Sequence, residues 1–184
     1  MPPTSTALRQ LPNALTVLRF AAIPLFVVLL VGESDGPSWG AGIVFGLAGI
    51  TDQVDGWLAR RWRVESPFGK IADPLADRLM IDTCVVALLL YDRLPWIAVV
   101  ILLRDALLVG GYKLVVPRGY SFEVSRVGKL ATWGLFASLG LVLVTEDGTW
   151  WPVACFLVSL ALAVVAAGQY VLKARREVGS EPAA

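Results

Sequence analysis

Residues 52–77 read DQVDGWLARRWRVESPFGKIADPLAD, and they set four carboxylates, Asp52, Asp55, Asp73 and Asp77, against two strongly apolar blocks. Ionised carboxylates in apolar surroundings are costly unless a cation compensates them. With no cations interleaved at matching positions the four repel one another, so the cluster asks for metal ions. On helices, the i, i+3 spacing of Asp52 and Asp55 and the i, i+4 spacing of Asp73 and Asp77 put each pair on one face, with a rise of roughly 4.5–6 Å within a pair. The basic stretch from Arg60 to Lys70 turns the chain back, so that the two edges face each other across an antiparallel hairpin. Hard oxygen ligands of this kind suit Mg²⁺ or Mn²⁺, and two such ions about 3.5–4 Å apart clamp a phosphoryl group for in-line displacement.

The sequence around that stretch decides the fold class. Of 184 residues 57% are hydrophobic and 17% charged, which is more apolar than a soluble domain of this length. The expectation is an all-α integral membrane protein with six transmembrane helices, near 14–31, 39–60, 70–91, 95–116, 127–144 and 151–172. Residues 1–13 form a short cytoplasmic or interfacial segment without the pattern of a signal peptide, 14–173 the membrane catalytic domain, and 174–184 a polar tail. Gly42 and Gly46, four apart, offer a bare face for close helix approach.

Charge gives the orientation. Arg9, Arg60, Arg61, Arg63, Lys70, Lys113, Arg118, Arg126, Lys129, Lys173, Arg175 and Arg176 fall on the side of the N-terminus, whereas the opposite loops carry Glu33, Asp35, Asp92, Glu146 and Asp147 with Arg93 as their one cation. Both termini therefore face the cytoplasm, with Trp39, Trp96, Trp150 and Trp151 at the outer interface and Trp62 at the inner one. Asp77 then lies about 10 Å of helix rise from Lys70, within reach of a water-soluble reactant and beside the lipid. The protein is multi-pass in the cell membrane, with its active site facing the cytoplasm.

Composition also excludes. A net charge of +1 gives no basis for nucleic-acid binding, Cys84 and Cys155 both fall in apolar segments and make no disulfide scaffold, and the absence of histidine removes imidazole bases and Ser-His-Asp triads.

The pattern D-x2-D-G-x2-A-R-x8-G-x3-D-x3-D matches, at every fixed position, the signature of the CDP-alcohol phosphatidyltransferase family. The chain resembles that family from Leu11-Pro12-Asn13 through its last apolar span. The resemblance implies transfer of the phosphatidyl group of CDP-diacylglycerol to an alcohol hydroxyl with release of CMP, a phospholipid-biosynthetic activity. It implies two divalent ions, Mg²⁺ or Mn²⁺, held by Asp52, Asp55, Asp73 and Asp77, with Asp77 also the general base. It implies a homodimer among membrane lipids. Gly56, Ala59, Gly69 and Asn13 sit where the family admits the nucleotide, Arg60 where it meets a phosphate, and Thr16 and Arg19 complete the opening segment at the site's edge. Arg118, Arg126, Lys129 and Arg104 are the acceptor-binding candidates.

The A-D-P-L-A-D-R run and the P-F-G-K stretch look most like phosphatidylglycerophosphate synthases, whose acceptor is glycerol 3-phosphate. Leu103-Arg104-Asp105 is closer to the cardiolipin synthases, whose acceptor is phosphatidylglycerol, and an inositol-phosphate acceptor is a third option. Bland readings stand beside these. Gly56 and Ala59 serve helix packing equally well, the cationic patch satisfies the positive-inside rule or meets anionic lipid, and Arg78 with Asp82, or with Arg104 and Asp105 across helices, are candidates for structural ion pairs. A divalent-cation channel or transporter is the competing class, although its path would carry polar residues through the outer half as well. A structural bundle that has lost activity would not need all four aspartates.

Overall fold

The computed structural model describes residues 6–33, 36–62, 69–115 and 126–178, with side chains described at 14, 17–33, 36–51, 75–108, 110 and 127–169. Among the described residues the chain is all-helical: α1 (Thr6–Gly32), α2 (Trp39–Trp62), α3 (Gly69–Leu90), a 3₁₀ turn (Trp96–Ala98) leading into α4 (Val99–Val115), α5 (Arg126–Val144) and α6 (Trp150–Val178). Helical structure begins eight residues before the expected first span, so residues 6–13 continue α1. The six helices coincide with the six hydrophobic blocks. Val127–Val144 and Trp150–Gln169 are each long and apolar enough to cross a bilayer, and Val17–Gly32 and Trp39–Thr51 are shorter apolar stretches. Arg19, Asp52, Asp55 and the charged residues of α3 and α4 interrupt the remaining blocks.

Small residues set the packing. A Cβ at Gly42 would collide with Val144 of α5, and one at Gly49 would lie 2.9 Å from the Phe136 ring, while Gly46 faces open space. The close approach of α2 to α5 therefore uses glycines seven residues apart, two turns of one face, and not the Gly42–Gly46 pair expected from the sequence. Gly134 likewise lets α5 meet Ser159 of α6. Between these contacts the rings of Phe26, Phe45 and Phe136 form a run across α1, α2 and α5, with centroids 5.9 and 5.2 Å apart. The core continues through Met80, Cys84 and Leu88 of α3, Leu135 and Leu139 of α5, and Phe156 of α6. Helix hydroxyls donate to carbonyls of their own helix, as Ser159 does to Cys155 at 2.8 Å and Thr51 to Leu47 at 2.7 Å, which satisfies these groups without a partner from another helix.

The outer surface is apolar too. Val28, Leu90, Leu107 and Leu130 are all well exposed, an arrangement that suits a lipid solvent better than water.

One end of the bundle is tied by hydrogen bonds. Asp92, at φ 54°, closes α3 with paired bonds from Asp92 N–H to Leu89 O and from Arg93 N–H to Leu88 O, the Schellman pattern. That turn delivers Arg93 to the end of α5, where its guanidinium donates to the carbonyls of Val142 (2.7 Å), Thr145 (2.6 Å) and Gly36 (3.2 Å) and pairs with Asp147 at 2.7 Å. The Glu33 carboxylate caps α2, accepting from the Ser38 hydroxyl and the Gly40 N–H, and the Ser38 N–H reaches Leu143 O. The N-terminus of α2 and the C-termini of α3 and α5 are thus joined, which puts the first turns of α3 and α5 and the last turn of α2 at the other end.

Candidate active site

The four signature aspartates lie on described helices, Asp52 and Asp55 in the second half of α2 and Asp73 and Asp77 in the first half of α3. The two helices pack against each other. The expected i, i+3 and i, i+4 spacings therefore both fall within helical backbone. The side chains of Asp52, Asp55 and Asp73 lie outside the described residues, as do those of Asn13, Ala59, Arg60 and Arg126 and the surroundings of Gly56 and Gly69; Arg118 lies outside altogether. Asp77 is the signature carboxylate whose surroundings are described.

Those surroundings follow from two helical stripes. On α1 the inward face runs Arg19, Phe26, Leu30, at i, i+7 and i+11; on α3 it runs Asp77, Ile81, Cys84, Leu88. Where the stripes converge, Arg19 and Asp77 replace a hydrophobic contact. Arg19 is 2% exposed, and its Nη1 stands 3.6 Å from Asp77 Oδ1. That oxygen is shielded from solvent, while the side chain as a whole remains 23% exposed. Sequence reading placed Arg19 at the edge of the site without finding this partner; the apolar residues at i+7 and i+11 were the signal that it points inward.

A second charged group flanks the first on the face of α3 toward α4. Asp105 is 3% exposed, with Oδ1 2.8 Å from Arg104 Nη2 and 3.6 Å from Arg78 Nη1. Arg78 thus pairs across helices with Asp105, and not with its i+4 neighbour Asp82. Asp82 lies within the field of Asp105, Arg104 and Arg78. Of the acceptor-binding candidates, Arg104 belongs to this group and Lys129 stands exposed in the first turn of α5, at the end of the bundle that carries Asp77.

A cleft of about 460 Å³ lies at the opposite end, lined by Arg93, Asp147 and Trp150 among others, and contains none of the signature residues. That cleft and Asp77 thus lie at different ends of the bundle. Aspartate carboxylates are hard, anionic oxygen donors of the kind divalent ions take, and α2 and α3 carry four of them in sequence.

Residues 9–172 match the family model described as CDP-alcohol phosphatidyltransferase. Over 146 residues the chain is 38% identical to a Streptomyces coelicolor protein named cardiolipin synthase (CMP-forming), covering 76% of this chain and 67% of that one. Over 150 residues it is 30% identical to a Bacillus subtilis protein named CDP-diacylglycerol--glycerol-3-phosphate 3-phosphatidyltransferase, covering 73% and 76%.

Proposed function

The chain belongs to the CDP-alcohol phosphatidyltransferase family, and we propose on that footing that it transfers the phosphatidyl group of CDP-diacylglycerol to glycerol 3-phosphate, forming phosphatidylglycerophosphate and CMP. The observation that carries the reading is the complete signature, Asp52 to Asp77, set in helical register on two packed helices. A cation channel draws no support from this family or from the place of its acids.

Asp52, Asp55, Asp73 and Asp77 would hold two divalent ions, Mg²⁺ or Mn²⁺, which when bound neutralise the pyrophosphate and the charge that builds up in the transition state. The residues of the chain do the rest. Gly56, Ala59 and Gly69 leave a bare surface against which the cytidine nucleotide lies, Asn13 borders it, and the Arg60 guanidinium forks onto a phosphate oxygen. Asp77 takes the proton of the acceptor hydroxyl as its oxygen bonds to the lipid-side phosphorus, and the phosphorus–oxygen bond to CMP breaks. Arg118, Arg126 and Lys129 hold the phosphate of the acceptor, and Arg104 borders that subsite.

The six helices span the membrane with both termini in the cytoplasm. The cation-rich helix ends and exposed Trp39, Trp96 and Trp150 at the other end support this orientation. The lipid substrate then stays in the bilayer while the polar acceptor enters from the cytoplasm. The working unit is a homodimer, on the strength of the family resemblance.

One observation favours a second acceptor. The 38% identity to a protein named cardiolipin synthase, together with Arg104-Asp105 in α4, makes phosphatidylglycerol the alternative. The experiment is to incubate purified protein with CDP-diacylglycerol and, in turn, glycerol 3-phosphate, phosphatidylglycerol or inositol phosphate, and to identify the lipid formed. Phosphatidylglycerophosphate supports the reading, cardiolipin replaces the acceptor, and no lipid product with any of them contradicts it.

A further inference from the structure

We propose that the cleft at the Arg93 end of the bundle is a lipid site that takes, from the adjoining leaflet, a zwitterionic phospholipid whose headgroup ends in a primary ammonium. The proposal rests on the bundle spanning the membrane and not on the phosphatidyl transfer.

At about 460 Å³ the cleft falls within the roughly 300–1,000 Å³ common for small-ligand sites. Its rim is acidic. Asp92, Glu146 and Asp147 line it with Arg93 as the one lining cation, and the Arg93 guanidinium is already engaged by Asp147 and by three carbonyls. Asp92 and Glu146 are exposed, and among the described residues neither forms an ion pair. Two negative charges are thus left unbalanced at the level of the exposed Trp96 and Trp150, where lipid headgroups lie. Trp150 also lines the cleft and supplies an aromatic ring, a further partner for a cation.

Below the rim the lining turns apolar at Val153 and Leu157 of α6. From Leu157 an exposed stripe continues through Ala161 and Val164, at i+4 and i+7, down the outside of the bundle. An acyl chain follows such a stripe into the bilayer while its headgroup stays in the cleft. A metal ion would use the acids alone and leave the apolar lining without a role. An ammonium group donates up to three hydrogen bonds to carboxylates, whereas a headgroup of net negative charge is repelled by them. The phosphate of the zwitterion then meets the start of α6 at Trp150, the positive end of that helix.

The test uses full-length protein in detergent, freed of bound lipid, with native mass spectrometry following adducts of phosphatidylethanolamine and phosphatidylglycerol of matched acyl chains. The parent should bind phosphatidylethanolamine. Asp92→Asn combined with Glu146→Gln should weaken that binding about five- to tenfold, the effect of losing two partly exposed charge contacts. Phosphatidylglycerol binding, at the cleft or elsewhere, should stay within about twofold of the parent. Asparagine tolerates the φ of 54° at position 92, and neither side chain belongs to the Arg93 contacts, so the unfolding midpoint should move by less than about 2 °C. Leu157→Gln should weaken phosphatidylethanolamine by itself, since it interrupts the acyl track. No phosphatidylethanolamine adduct in the parent, unchanged affinity in the double variant, or an equal loss for both lipids would each overturn the proposal. Binding of Ca²⁺ that disappears in the double variant, with phosphatidylethanolamine unaffected, would make the cleft a metal site and overturn it too. No readout involves CMP release, so failure of the phosphatidyl-transfer reading and failure of this proposal are separately visible.

Discussion

Replacing Arg93 with methionine removes one buried cation from the end of the bundle farthest from the signature. The Arg93 side chain is 7% exposed, and the substitution deletes three donated hydrogen bonds, to Val142, Thr145 and Gly36, and the contact with Asp147. The Val142 carbonyl belongs to the last turn of α5, where no helical N–H can replace the lost donor. Hydrogen bonds from a charged donor contribute roughly 1.5–3 kcal/mol each, with non-additivity reducing the sum. Asp147 is 54% exposed, so its ion pair adds about 1 kcal/mol at most. A net loss of about 3–5 kcal/mol follows, and at roughly 2–4 °C per kcal/mol for a chain of this size the midpoint of thermal unfolding should fall by about 10 °C. Arg93→Lys, with a single ammonium in place of the planar fork, should lose about half of that. Since Asp77 and Leu90 are separated by about 20 Å of helix, CMP release per folded molecule should be unchanged. Thermal unfolding in detergent, paired with activity measured well below the transition, provides the assay. A midpoint within about 2 °C of the parent, or activity lost at full stability, would refute the clamp as described.

Asp105→Asn should also destabilise, by about 2–3 kcal/mol, because it leaves the Arg78 and Arg104 guanidiniums with Asp82 as their neighbouring acid while Arg78 keeps some contact with solvent; an unshifted unfolding midpoint would count against that ion group. Lys129→Ala should raise the KM for glycerol 3-phosphate about tenfold, the worth of one charge-assisted bond, and leave that for CDP-diacylglycerol within about twofold. Equal rises in both would point to a folding defect. Chelation of divalent ions should abolish turnover and added Mg²⁺ or Mn²⁺ restore it, whereas indifference to chelator would contradict the metal ligand set.

Most of the helical architecture was legible because apolar blocks separated by short polar turns leave the chain few alternatives. The signature was legible because its eight fixed residues match the family pattern at every offset. What escaped was the pairing of charges. Arg93 read as an exception among acidic loops, yet its role depends on a turn at Asp92 with positive φ that carries it beside α5, and no local pattern encodes that meeting. Arg78 had Asp82 at ideal spacing on its own helix, but the buried Asp105 of α4 captured it. Tertiary proximity overrode the local pair. The glycines differed in the same way: Gly42 and Gly46 matched a known spacing, while the face that meets α5 is set by the crossing of the helices and uses Gly42 and Gly49. Arg19 was within reach, since Phe26 and Leu30 stand on its own face, but its partner on α3 became apparent only from the packing of the two helices.

The most direct measurement of the central claim is CMP release from CDP-diacylglycerol and glycerol 3-phosphate by the parent protein and by Asp77→Asn at saturating Mn²⁺. With folding verified by the thermal transition, the variant should be slower by at least about a hundredfold, the loss expected when a positioned base is removed. Turnover at the parent rate would mean that the carboxylates in the second half of α2 and the first half of α3 do not carry the reaction.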